Sequence, residues 1–194
     1  MASEIKVNKI TGKGATGGAN APLQFDGNVL TTATIANATI ANMINCTFPA
    51  GHMIQFVSDT GTTEYSSNTD GWAANGLVDD PVILITPNSA TNKILLQVTA
   101  PFYKNSSTNI AFSFYKNASD VTETYNLPNV SYGCTGYMSV GENYNGIASY
   151  HYVDIAGTTN EITYKISFRP YNTNTVKVGR SNSITSLTVM EIQG

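Results

Sequence analysis

The chain has 194 residues, a formal net charge of −3 and only 12% charged residues, about half the charged share usual for a soluble domain. Thr (25), Asn (21), Ser (16) and Gly (16) fill the difference, with eleven Tyr and seven Phe against one Trp. This composition argues against helical bundles and coiled coils, which need Ala, Leu, Glu, Lys and Arg, and the acidic pI near 5.2 argues against electrostatic binding of nucleic acid.

Residues 1–29 read as an extended N-terminal arm. The first thirteen residues lack the apolar stretch of a secretory signal. A Gly-rich run at 12–18 lacks the order of a phosphate-binding loop and any strand before it, so it reads as a linker. Residues 30–47 carry a short repeat, Thr-Ile-Ala-Asn-Ala followed by Thr-Ile-Ala-Asn-Met, in which Leu30, Ile35 and Ile40 recur every five residues. That period fits neither a helix face nor a simple strand. One Ile per unit finds no burial within one chain, so the repeat calls for neighbouring copies. Three copies about a threefold axis would make a thin apolar shaft; the other reading is a low-complexity linker.

From Phe48 onward the pattern changes to period two, the signature of strands. Strands are expected at 53–57, 81–86, 93–102, 110–115, 130–140, 147–155, 162–169, 176–178 and 184–192. The clearest alternation puts Ile162, Tyr164, Ile166 and Phe168 inward and Thr163, Lys165, Ser167 and Arg169 outward. Turn residues separate the strands at Pro87-Asn88, Asn105-Ser106, Asn145-Gly146, 117–120, 157–160 and 172–174. Asp79-Asp80 is expected to open a strand at Pro81. Residues 48–194 therefore read as an antiparallel β-sandwich of jelly-roll type. The last strand carries apolar residues on both faces, Leu187 and Val189 against Met190 and Ile192, which places it centrally or at a subunit contact.

Chemistry-bearing constellations are sparse, and the chain is not expected to be an enzyme. His52 and His151 lie far apart in sequence, and Cys46 and Cys134 lack the paired spacing of a metal site. No catalytic residue, metal or cofactor is implied. The segment 66–71 only faintly resembles a calcium loop, with Leu77 where a bidentate Glu should stand. Five Asn-x-Ser/Thr sequons are no more than so Asn- and Thr-rich a chain yields by chance. No run nears the ~20 apolar residues of a membrane span, so membrane insertion is not expected. Aromatic residues in polar segments, Tyr65, Trp72, Tyr125 and Tyr144, are candidate contacts for a receptor or glycan, with packing of loop bases as the plainer reading.

The segments 3–10 (SEIKVNKI), 47–55 (TFPAGHMIQ), 87–94 (PNSATNKI) and 184–192 (ITSLTVMEI) resemble the short fibre proteins of tailed phages, particularly marine and cyanobacterial ones. The resemblance implies a homotrimeric fibre or decoration, assembled in the host cytoplasm and exposed on the virion surface. It implies an arm anchored through Ile5, Val7 and Ile10 to another protein of capsid or tail, a shaft on Leu30, Ile35 and Ile40, and a β-rich head for host attachment. A carbohydrate-binding module without a virion role is the alternative, and a depolymerase a more distant one.

Overall fold

Alternation of apolar and polar residues becomes eleven strands among the described residues of the computed structural model. Those residues are 50–105, 108–127, 134–139, 143–179 and 183–194. The chain divides into two units between Cys46 and Thr47, and the second holds every described residue. Ile5, Val7, Ile10, Leu30, Ile35, Ile40 and Cys46 lie outside the described residues.

The strands are β1 (Met53–Gly61), β2 (Tyr65–Ser67), β3 (Leu77–Ile85), β4 (Lys93–Lys104), β5 (Ile110–Ala118), β6 (Val121–Thr124), β7 (Gly136–Met138), β8 (Tyr144–Ile155), β9 (Ile162–Pro170), β10 (Val176–Val178) and β11 (Thr185–Ile192). In the first sheet β4 is central, with β8 along one side. On its other side β11 pairs with residues 93–99 and β10 with residues 102–104, flanked in turn by β1 and β2. The second sheet runs β3, β9, β5, with β6 and β7 sharing the column beyond β5. Every pairing is antiparallel. The principal strands thus form two four-column sheets, β8-β4-β11-β1 and β3-β9-β5-β6/β7, and the chain crosses repeatedly between them. This is the double Greek key of a jelly roll, so the expected all-β sandwich is the fold observed.

The core lies between the sheets. β4 contributes Ile94, Leu96, Val98 and Phe102, and β9 contributes Ile162, Tyr164, Ile166 and Phe168, all buried. Each such side chain contributes roughly 1.5–3 kcal/mol by leaving water. Aromatic rings join the layers: Phe102 meets Phe112 edge-on at 5.6 Å, and Tyr150 lies 5.5 Å from Phe112 and 5.2 Å from Phe114.

Four local expectations change. Asn145-Gly146 is no turn; it lies inside β8, opposite Tyr103 and Phe102. A Cβ on Gly146 would stand 2.7 Å from the rings of both Phe102 and Tyr144, so the glycine serves close approach of an aromatic. Asp79-Asp80-Pro81 does not open a strand either; β3 starts at Leu77, and these residues form an irregularity between Val78 and Val82. There Asp79 meets Lys165 at 2.6 Å, and Asp80 accepts from Thr63 Oγ1 at 2.9 Å. Strands β2 and β6 are additional to the expected set, being short, polar and at sheet edges where alternation is not required. Of the strand expected over 130–140, Gly136–Met138 is a strand; residues 130–133 and 140 lie outside the described residues.

Candidate functional site

The four candidate aromatics do not form one platform. Tyr65 on β2 pairs with Val178 and packs against the core. Tyr144 opens β8 with its ring 6.0 Å from Phe102, 42% exposed. These two stand on opposite margins of the first sheet, three strand spacings or about 14 Å apart. Tyr125 stacks on Tyr115 at 5.4 Å on the second sheet. Burial and the nearby Glu123 carboxylate hold both phenols above their ordinary pKa.

Trp72 covers Arg169, whose guanidinium lies 5.2 Å from its ring and 4.5 Å from that of Tyr171. Arg169 Nη1 donates to Asp70 Oδ1 at 3.1 Å. Arg169 Nε and Nη2 and Trp72 Nε1 are out of contact with solvent and make no hydrogen bond. Donors sealed in this way are beyond a ligand's reach, so the stack clamps the loop before β3 onto the second sheet. Of the four aromatics, Tyr144 is the most exposed.

A different surface stands out when strand register is followed. On the outer face of the first sheet Val153, Leu95, Met190 and Phe56 fall in one cross-strand row over β8, β4, β11 and β1. The neighbouring row holds Ile155, Lys93, Ile192 and Met53. Val153, Ile155, Met53 and Phe56 are 48%, 50%, 52% and 57% exposed. Lys93 is the one charged side chain in these two rows. Beyond them the face becomes polar, with Gln97, Thr99, Ser149, His151, Ser186 and Thr188 around a shallow cavity of about 280 Å³. At the opposite end Pro101, Ile147 and Ile184 border a wider, largely apolar cleft of about 770 Å³. The face is therefore banded apolar, polar, apolar.

Of these residues, Met190 and Ile192 were legible as apolar positions in an otherwise alternating strand. Phe56, Leu95, Val153 and Ile155 were not singled out. Val153 and Ile155 both break the alternation of β8, Phe56 and Leu95 that of β1 and β4, and the breaks become a pattern only when register aligns them.

At the apolar end the chain is knotted by Glu191. This fully buried carboxylate accepts from Asn92 Nδ2 at 2.6 Å and the Asn88 amide at 2.7 Å through Oε1, and from Gln55 Nε2 at 2.8 Å through Oε2. Gly51 N donates to Gln193 O and Gln193 N to His52 O, both at 2.8 Å, tying entry to exit. The segments 47–55, 87–94 and 184–192 thus meet at one carboxylate.

Among the described residues no group of three His, Cys, Asp or Glu side chains could hold a metal ion, and no helix is long and apolar enough to cross a membrane. His151 stands on the outer face opposite Gln97, Cys134 is a free, half-buried thiol, and His52 is exposed in the entry segment.

No family model matches the chain, and no curated protein is significantly similar to it. Solved structures that align with it include those of the infectious bursal disease virus Gt strain, at 12% identity and a TM-score of 0.31, and Gx strain, at 9% and 0.29. The alignments cover 85% and 82% of this chain but 44% and 47% of the viral chains, so it spans less than half the length of either.

Proposed function

We propose that this chain is a virion structural protein, a short homotrimeric fibre or decoration of a tailed phage. Residues 1–29, through Ile5, Val7 and Ile10, dock on another protein of capsid or tail, and residues 30–47 bring three copies together. The jelly-roll head faces outward and adheres to the host surface, with a surface glycan as its partner. The role is mechanical and adhesive, because threefold symmetry turns weak contacts into avidity. The observation that carries this reading is the meeting of three fibre-like segments at Glu191. Residues scattered over 146 positions of sequence resemble fibre proteins, and they belong to one structural unit. Sedimentation equilibrium of the full chain should give a trimer mass at micromolar concentration, and a cryo-EM map of the particle should carry threefold density for it. A monomer at that concentration would overturn the proposal.

A second reading, a carbohydrate-binding module without a virion role, draws on the polar band of hydroxyl, amide and imidazole groups around the shallow cavity. Glycan-array binding by a monomeric chain absent from purified particles would favour it.

A further inference from the structure

We infer that the apolar end of the outer face of the first sheet is where neighbouring copies of this chain's head meet. The inference rests on the trimeric reading above and names the surface it uses.

The face is built as a contact. Its two rows place seven apolar side chains and one lysine on four adjacent strands. At about 4.8 Å between strands and 6.8 Å between same-face residues, they cover on the order of 300 Å². That is the size of the largest apolar patch an ordinary monomer carries, which is often functional. The four strands carrying it, β8, β4, β11 and β1, are the longest in the sheet and are anchored by buried neighbours, so the rows are held at fixed spacing. With little charge of either sign, the patch offers nothing to steer an ionic partner, and its match is another apolar surface.

The place where the chain enters the head selects the occupant. Ala50 is the first described residue of the entry segment, and only two residues, Gly51 and His52, separate it from Met53 in the apolar row. The repeat that calls for neighbouring copies ends its second Ile at Ile40, thirteen residues before Met53. A tether of thirteen residues spans at most about 45 Å. Copies held together at the repeat therefore present this patch to one another at an effective concentration in the millimolar range. A second copy is thus concentrated at this end of the head through thirteen residues, whereas the anchoring protein is held at Ile10 or earlier, at least 43 positions from Met53.

Area and tether fit each other. A standalone protein interface needs roughly 800 Å² per partner, more than these rows supply. Heads alone would associate weakly, and heads joined by the repeat would close. With Phe56 as their only aromatic ring, the rows also differ from a sugar site, which stacks its ligand on aromatic platforms.

Two methionines in the rows, Met53 and Met190, provide a readout, with half-buried Met138 on β7 as an internal reference. The full chain is treated with dilute peroxide, and oxidation at each methionine is followed by mass spectrometry beside sedimentation equilibrium. The comparison is a Phe56→Arg/Val153→Arg chain, with Leu84→Arg, exposed on the second sheet, as the control. Far-UV circular dichroism checks that each chain keeps its fold, and dilution of the unmodified trimer below its dissociation range gives a comparison free of substitutions. The expected result is a wild-type trimer in which Met53 and Met190 oxidise at least tenfold more slowly than in the double-arginine or diluted chain, with Met138 unchanged. The double-arginine trimer should dissociate at a concentration at least tenfold higher, and Leu84→Arg should behave as wild type. A wild-type trimer whose Met53 and Met190 oxidise as fast as in the double-arginine chain overturns the inference and leaves the fibre reading standing. A monomer with both methionines open to peroxide ends the fibre reading as well. A monomer with both protected shows the face covered by the chain's own arm and overturns the inference in that way.

Discussion

Glu191 is a buried carboxylate held by three amide donors, none of which carries a charge. The donors come from two segments: Gln55 from β1, and Asn88 and Asn92 from the turn into β4. Asn92 continues the network by accepting from the Gly194 amide at 3.0 Å. Removing the acceptor strands the buried Asn92 amide, whereas the exposed Asn88 amide can turn to water, and a buried orphan costs about 1–3 kcal/mol. Gln55 keeps a second acceptor in the Thr86 carbonyl at 2.8 Å, so its loss is softened. Glu191→Ala should therefore lower unfolding stability by about 2 kcal/mol, read as a lower urea midpoint at unchanged slope. Glu161→Ala, at an exposed carboxylate, should change it by no more than about 0.5 kcal/mol. Equal effects of the two substitutions would mean that the knot contributes nothing beyond an ordinary surface charge.

Across elements, the tie between the sheets is ionic as well as apolar. Lys116 on β5 of the second sheet reaches Asp154 on β8 of the first, at 2.7 Å, with both side chains largely buried. Its ammonium also donates to the Ile155 and Ala156 carbonyls at 2.8 and 2.9 Å, and Tyr164 Oη donates to the same Asp154 oxygen at 2.8 Å. Breaking a buried pair from one side leaves a charge unpaired and costs about 3–5 kcal/mol, while removing both partners costs much less. In a double-mutant cycle, Lys116→Met and Asp154→Leu should each destabilise strongly and the double variant should recover at least about 1 kcal/mol of their sum. Strict additivity would show that the pair is incidental. The same elements show what the sequence carried. β4, β9 and β10 were readable because the face turned to the core is apolar and the other mostly polar, which a period of two records directly, whereas β11 was readable by its apolar residues on both faces. The Asn145-Gly146 turn was misread because a glycine opposite a ring and a glycine in a turn are written with the same letter. The Lys116–Asp154 pair, the Glu191 knot and the apolar rows join residues from 38 to about 140 positions apart. Pairings at that range are set by register and sheet order, which no local window contains.

At the scale of the whole molecule, the sandwich is closed by tyrosines whose hydroxyls are held away from water. Burial raises the pKa of Tyr150 well above its ordinary value, and burial with the neighbouring Asp154 carboxylate raises that of Tyr164. Burial likewise raises Tyr152, with Asp154 adding to it. In the unfolded chain these phenols release their protons near pH 10. The folded state retains them, so above pH 10 it binds more protons than the unfolded state and stability falls as pH rises. Below pH 10 both states are protonated and the contribution is constant, which places the sensitive window on the alkaline side alone. The slope from each retained proton grows with the ionised fraction of the unfolded phenol and approaches about 1.4 kcal/mol per pH unit about one unit above pH 10, so Tyr150 and Tyr164 together approach about 3 kcal/mol per unit there. Urea unfolding at pH 9, 10 and 11 and fixed protein concentration should show that decline, the concentration being fixed because assembly itself shifts apparent stability. Tyr164→Phe should lower stability at pH 9 through loss of its bond to Asp154, yet flatten the decline between pH 10 and 11 by about 1 kcal/mol. A slope unchanged by that substitution would mean that Tyr164 ionises in the folded head as readily as in the open chain. The layers would then part enough to admit water well before they unfold, and a face built from fixed cross-strand rows would have no rigid backing.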